Sequence, residues 1–233
     1  LRYKFIGTGS AFNHKYGNNS MLLEFNNTNL LLDCGHDVPG RLDTDLQNIN
    51  NIWISHIHND HCGGLEEVAF KNYFLYKKKT NLLLHHSFAY DFINHLLFSI
   101  GQKGLFSIDE YFNVFIYKNS FTIKDIKFTT EKTNHVLNMD SFLLKWEDCV
   151  FTGDTQFIDW RNHENIKHIF QDTQLEKYGE DVHTCLEDLL KLPLEVKQKI
   201  NCMHYGEAIE NYRDVIEKNG MKICTINQWS ELY

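Results

Sequence analysis

The stretch "SHIHNDHCGG", residues 55–64, places His56, His58, Asp60 and His61 within six positions. Each side chain offers a lone pair to a metal, and none suits the core of a strand or of an amphipathic helix. The cluster follows the apolar run "NIWI" and precedes two glycines, so it reads as a strand running into a tight turn. On a strand, side chains repeat every two residues, and His-x-His then puts both imidazoles on one face. "NIWISHIH" is therefore expected to be a strand that carries His56 and His58.

Other residues of the same kind fall at the ends of further predicted strands. Asp33 ends "LLLD", His135 follows "KFTTEKTN", Asp154 follows "CVFTG" and His204 ends "KINCM". Strand ends hold side chains in fixed geometry while the loops beyond them admit a substrate. His56, His58, Asp60, His61, His135, Asp154 and His204 are too many for one tetrahedral zinc and suit two metals sharing a carboxylate. The expected assignment gives His56, His58 and His135 to one metal, Asp60, His61 and His204 to the other, and Asp154 to both. Mixed imidazole and carboxylate donors point first to Zn²⁺, with Mn²⁺, Fe²⁺ or Co²⁺ as replacements. Asp33 is expected to orient a ligand histidine rather than to bind metal. His14, His85, His86, His95, His163 and His168 read as surface or satisfied core residues, His36 as pocket lining or surface, and Cys62 as core.

Composition sets the frame for that cluster. The chain has 233 residues, 42% apolar and 23% charged, with two prolines and no linker-like stretch, which favours one domain over residues 1–233. A net charge of −8 argues against a nucleic-acid polymer as partner. The basic run "YKKKT" reads as a solvated turn after a helix. Six cysteines without a CxxC pair suggest reduced thiols. No apolar run approaches a membrane span, and "LRYKFIGTGSAF" reads as a strand and a glycine turn rather than a leader, so a cytoplasmic location is expected.

Strands are expected at "LRYKFIGTG", "SMLLEFNN", "NLLLDCG", "NLLLH", "FNVFIY", "SFTIKDIKFTTEKTNH", "SFLLKW", "CVFTGDT", "KINCMHYG" and "KICTI", with hairpin turns at "FNNTN" and "WED". Helices are expected at "GGLEEVAFKNYFLYKKK", "SFAYDFINHLLFSIG", "TCLEDLLKLP" and "EAIENYRDVIEKNG". This order suggests an α/β protein with two sheets and helices outside them.

Taken together, "HIHNDH" with its Gly-Gly, "LLLDCG", His135, "FTGDT" and "NCMHYG" resemble, in order and over nearly the whole chain, the motifs of the metallo-β-lactamase fold. That resemblance implies a four-layer αβ/βα sandwich of two mixed sheets. The fold alone does not select a reaction. "FIGTGSAF" is similar to the opening of the phosphodiesterase branch that includes the tRNA 3′-processing endonucleases. Asp172 in "FQDTQ" and His183 in "DVHTCLEDLL" match that branch's acidic residue and following histidine, although Gln171-Asp172 stands where the endonucleases have His-Glu. Only eighteen residues separate His135 from Asp154, too few for a tRNA-binding arm.

The combination "KFIGTGSAFN", "HIHNDHCGGL", "FQDTQL", "VHTCLEDLLKLP" and "CMHYG" is most similar to the anti-Pycsar family. The resemblance implies hydrolysis of the cyclic mononucleotides of bacterial Pycsar defence, cyclic CMP and cyclic UMP, with cyclic AMP and cyclic GMP also accepted. It further implies a homodimer with shared active sites. Under this reading His183 is the general acid, held by Asp172, and Asp60 counts among the catalytic groups as well as the ligands. Backbone from Gly7 to Ser10, Gly9 and Ser10 included, would line the phosphate side with Asn19 and Ser20. Aromatics in 70–76 and 88–106 would stack on a base from either protomer, or else belong to the core or a dimer contact. Another small-phosphodiester hydrolase or an armless tRNA nuclease, and a lactone, thioester or β-lactam hydrolase, stand as alternatives.

Overall fold

Short apolar runs broken by Asn- and Gly-rich turns give strands, and parallel pairing brings their carboxyl ends to one edge of each sheet. The computed structural model describes residues 1–100, 107–178 and 182–232. Its chain gathers into two compact units, Leu1–Gly7 with Asn18–Lys118 and Ile226–Tyr233, and Thr8–Gly17 with Asn119–Thr225.

The first unit holds β1 (Arg2–Gly7), β2 (Ser20–Phe25), β3 (Thr28–Leu32), α1 (Val38–Leu42), β4 (Asn51–Trp53), α2 (Asn59–Cys62), α3 (Leu65–Phe70), β5 (Thr80–His85), α4 (His86–Ser99) and β6 (Phe112–Tyr117). The closing strand β14 (Ser230–Glu231) joins the same sheet, whose order is β14-β1-β2-β3-β4-β5-β6. Pairing is antiparallel from β14 to β3 and parallel from β3 to β6. Asn26 and Asn27 take left-handed φ of 44° and 57° and close the expected hairpin between β2 and β3. Leu23, Leu30, Leu32, Trp53, Leu82 and Leu84 are buried on this sheet. Helix α4 packs on β5 and β6.

The second unit repeats the change of pairing. It holds β7 (Ser120–Ile123), β8 (Ile126–Thr133), β9 (Ser141–Trp146), β10 (Cys149–Phe151), β11 (His168–Asp172), α5 (Leu186–Leu190), α6 (Leu194–Lys197), β12 (Ile200–Met203), α7 (Ile209–Lys218) and β13 (Lys222–Ile223). The sheet order is β13-β12-β11-β10-β9-β8-β7, antiparallel from β7 to β10 and parallel from β10 to β13. The "WED" turn joins β9 to β10, with Glu147 at φ 47°. Trp160, Leu186, Leu189, Val196, Ile209, Ile216 and Met221 build one buried cluster against Val150, Ile169 and Ile200.

Three expectations need correction. Strand β4 ends at Trp53, so His56 and His58 lie in the following loop and not on a strand. The cause is Asp33: its carboxylate takes the Ser55 N–H at 2.7 Å, where a ladder partner would otherwise stand. The helix from Leu65 turns π-helical at Lys71–Tyr76, and Lys77 ends it with a left-handed φ of 51°. "HIFQD" forms β11, a strand the sequence does not announce because its side-chain pattern lacks alternation. Of the aromatics expected to stack or to form a dimer contact, Phe106 lies outside the described residues.

Candidate metal centre

In the first unit the donor loop is built by two glycines and one aspartate. Cys34 N donates to His61 O at 2.7 Å and Gly64 N to Cys34 O at 2.9 Å, which clamps the turn after β3 onto α2. A Cβ at Gly35 would meet Asp60 O at 2.1 Å, and one at Gly64 would meet Gly35 O at 2.4 Å, so only glycine permits this approach. Asp33 is fully buried and holds a left-handed φ of 61°, which turns its carboxylate back under the loop. Its Oδ2 accepts from Ser55 Oγ at 2.8 Å and from His61 Nδ1 at 2.8 Å. Burial pushes the Asp33 carboxyl up, against the His61 and Ser55 contacts that favour the anion.

With Nδ1 committed to Asp33, His61 presents Nε2, which faces Asp60 Oδ2 at 3.2 Å. His56 turns Nδ1 to Ser55 Oγ at 3.0 Å and Nε2 to His58 Nδ1 at 3.0 Å. The His56 and His61 rings lie 4.2 Å apart. Ring nitrogens of His56 and His58 thus face each other, as His61 Nε2 and Asp60 Oδ2 do, and each of the two pairs belongs to a group of donors that could hold a cation. His56 and His61 are fully buried and Asp60 nearly so.

In the second unit Asp154 follows β10 through Gly153, whose φ is 57°. Its backbone carbonyl accepts from Thr133 Oγ1 at 3.1 Å and Ser141 Oγ at 3.2 Å, which fixes the carboxylate's direction. His204, at φ 56°, brings Nε2 to 3.4 Å from Asp154 Oδ1. His135 donates Nδ1–H to Val182 O at 2.7 Å and places Nε2 3.7 Å from Asp154 Oδ2. Asp172, at the end of β11, accepts from His183 Nδ1 and from Thr155 N. Donor atoms of Asp154, Asp172, His183 and His204 all lie within 4.8 Å of one another.

Burial pushes Asp172 up, but His183 and His204 outweigh it and hold the carboxyl below its usual range. Burial likewise pushes His183 down, and the Asp172 and Asp154 carboxylates outweigh it, so its pKa lies above the ordinary histidine value. Sequence reasoning missed Gln171, Thr155 and Thr184. Gln171 Oε1 takes Trp160 Nε1–H at 2.8 Å while its Nε2 donates to Thr184 Oγ1 at 3.0 Å, and Thr184 Oγ1 donates to Thr155 O. Their one sequence signal is adjacency to Asp172, His183 and Asp154.

Imidazole nitrogens and carboxylate oxygens held by buried acceptors on their far side fit divalent transition metals of the zinc type. His61 and His135 have such acceptors in Asp33 and Val182 O; of the expected ligands, His56, His58, Asp60 and His61 lie in one unit, and His135, Asp154 and His204 in the other. The expected phosphate-lining groups make contacts within the protein. Gly9 N donates to Gly17 O and Ser10 N to Tyr205 O, while Ser20 Oγ donates to Asp33 O at 2.8 Å and Asn19 is fully buried. Those donors are spent within the protein because they tie the strand ends together. His36 is exposed, Cys62 is buried, and His85 caps α4 through Ser87.

The model of the family described as "Anti-Pycsar protein Apyc1" matches residues 1–230. The chain belongs to that anti-Pycsar family. An anti-Pycsar protein of Paenibacillus sp. (strain J14) is 34% identical over 227 residues, covering 91% of this chain and 92% of the relative. One from Bacillus phage vB_BsuM-Goe3 is 36% identical, covering 89% and 90%. The metallo-β-lactamase fold protein YhfI from Bacillus subtilis superposes with a TM-score of 0.75 at 16% identity over 98% of each chain, which shows the fold. This anti-Pycsar family member has the metallo-β-lactamase fold with two mixed sheets and helices, and its histidine and aspartate groups support a metal-dependent hydrolase. Among the described residues no helix is long and apolar enough to cross a membrane.

Proposed function

We propose that the chain is a dinuclear metal phosphodiesterase that hydrolyses 3′,5′-cyclic nucleotides to nucleoside 5′-monophosphates. Cyclic CMP and cyclic UMP, and also cyclic AMP and cyclic GMP, are its substrates, and their loss silences Pycsar defence. The observation that carries the reading is the pairing of buried Asp172 with partly exposed His183, 2.9 Å apart and in one cluster with Asp154. A phosphodiester needs a proton donor for its departing alkoxide, and a histidine anchored at Nδ1 keeps Nε2 for that proton.

The assignment places His56, His58 and His135 on one divalent cation, Asp60, His61 and His204 on a second, and Asp154 on both, with Zn²⁺ preferred and Mn²⁺ accepted. When bound, such cations supply Lewis-acid stabilisation of the phosphoryl oxygens and ease deprotonation of water near neutral pH. Asp33 orients His61, Val182 O orients His135, and Asp172 orients His183 for the 3′ oxygen. The enzyme works as a homodimer in the cytoplasm, without a nucleic-acid polymer or membrane as partner.

The test is chromatography of products from cyclic mononucleotides, cyclic dinucleotides, pre-tRNA and nitrocefin incubated with the purified, metal-loaded protein. Cleavage of the cyclic mononucleotides to 5′-monophosphates is expected. Turnover confined to pre-tRNA or nitrocefin would replace the reading.

A further inference from the structure

Asp172 and His183 form, with Asp154 and His204, a compact donor group inside the second unit. One ligand atom from each lies within 4.8 Å of the other three. Four donors ~2.0–2.1 Å from one cation stand ~3.3 Å apart at the corners of a tetrahedron. His204 Nε2 is 3.4 Å from Asp154 Oδ1, while His183 Nδ1 is 3.7 Å from Asp154 Oδ2 and 2.9 Å from Asp172 Oδ2. These separations bracket that edge.

Asp172 itself points to a cation. It is fully buried, and among the described residues its Oδ1 accepts no hydrogen bond. His204 Nδ1 stands 3.3 Å from that oxygen, close enough for attraction but without the alignment of a hydrogen bond. A carboxylate oxygen left unpaired in the interior is costly, and a divalent cation is a partner that satisfies it.

The group shares Asp154 and His204 with the seat assigned above to the second cation, and exchanges Asp60 and His61 for Asp172 and His183. Two cations cannot both take Asp154 and His204 in full, so the two seats exclude each other. We propose that Asp154, Asp172, His183 and His204 form an alternative seat for the second cation, and that a cation there switches the acid off. The proposal rests on the dinuclear phosphodiesterase reading above. A cation on His183 Nδ1 takes the place of one of the two protons of the imidazolium, and the ring that remains is a poor donor from Nε2. The departing alkoxide then lacks its proton, whereas a good leaving group departs unaided.

The experiment compares zinc content and turnover in wild type, His183→Ala, His61→Asn and the double variant His61→Asn, His183→Ala, each loaded with Zn²⁺ and desalted. Asparagine keeps a side-chain N–H for Asp33 and removes the Nε2 donor of the first seat. Wild type, His183→Ala and His61→Asn should each hold about two Zn²⁺ per chain, and the double variant about one. In His61→Asn, cyclic CMP turnover should fall ~10²–10⁴-fold further than that of bis(p-nitrophenyl) phosphate. One Zn²⁺ in His61→Asn, or two in the double variant, overturns the alternative seat. Should His61→Asn fail to fold, Asp60→Ala is read by the same turnover ratio, and equal losses on both substrates overturn the seat. A wild type that holds a single Zn²⁺ or cleaves no cyclic nucleotide overturns the underlying reading instead.

Discussion

Asp172 Oδ2 lies 2.9 Å from His183 Nδ1, and the carboxylate is fully buried while the imidazole is partly exposed. The same carboxylate reaches toward His204 Nδ1 with Oδ1 at 3.3 Å, an ion-pair distance. One buried anion therefore aligns the proposed acid and a proposed metal ligand. Removal of the acid and removal of its holder should then differ in degree but share a signature. His183→Ala should lower cyclic CMP turnover by ~10²–10⁴-fold. Bis(p-nitrophenyl) phosphate, with a leaving group that needs little protonation, should lose much less. Asp172→Asn should show the same selectivity more mildly. Equal losses on both substrates would make His183 a structural residue.

Asp33 accepts from Ser55 and from His61. Asparagine tolerates its left-handed φ, so Asp33→Asn should keep the backbone while losing the charge and one of the two acceptor oxygens. Metal affinity measured by chelator competition should fall ~10–100-fold. An unchanged affinity would show that Asp33 serves the turn and not the ligand.

Gln171 joins Trp160 to Thr184 inside a fully buried network. Gln171→Leu should leave the Trp160 N–H unpaired and cost ~1–3 kcal/mol in denaturant unfolding. Thr184 is next to His183, so kcat should fall more than KM rises. Gln171→Glu keeps the acceptor for Trp160 and should unfold less readily than Gln171→Leu.

All six cysteines are free and buried. Burial pushes the Cys62 and Cys202 thiols up to about 12. The folded state thus keeps protons that the unfolded chain releases near ~8.5, so this contribution to stability is whole below that pH and is lost as pH rises toward 12. The thermal midpoint should hold up to about pH 8 and fall steadily above it. Native protein should react slowly with a thiol reagent at about pH 8, and unfolded protein should titrate six thiols.

Phe74, Leu75, Tyr90, Phe98, Phe115 and Ile116 are exposed apolar side chains in the first unit. If they cover one another in a homodimer, light scattering should give about twice the 27.5 kDa chain mass. A monomer with full activity would remove the shared active site from the proposal.

The sequence by itself marked the candidate donors, because His and Asp at His56, His58, Asp60, His61, His135, Asp154 and His204 have no packing use beside apolar strands. It determined the hairpins too, since Asn26-Asn27 and Glu147-Asp148 sit between apolar runs that must pair. Tertiary structure alone decided where β4 stops: Asp33 withdraws the Ser55 N–H from the ladder across 22 residues of chain, a contact no local pattern encodes. It likewise decided that Gly9, Ser10 and Ser20 spend their donors within the protein, and that Gln171 braces the segment carrying His183. Residue chemistry and spacing are local and can be read along the chain. Which donor meets which acceptor depends on long-range pairing, and that exists only once the sheets have formed.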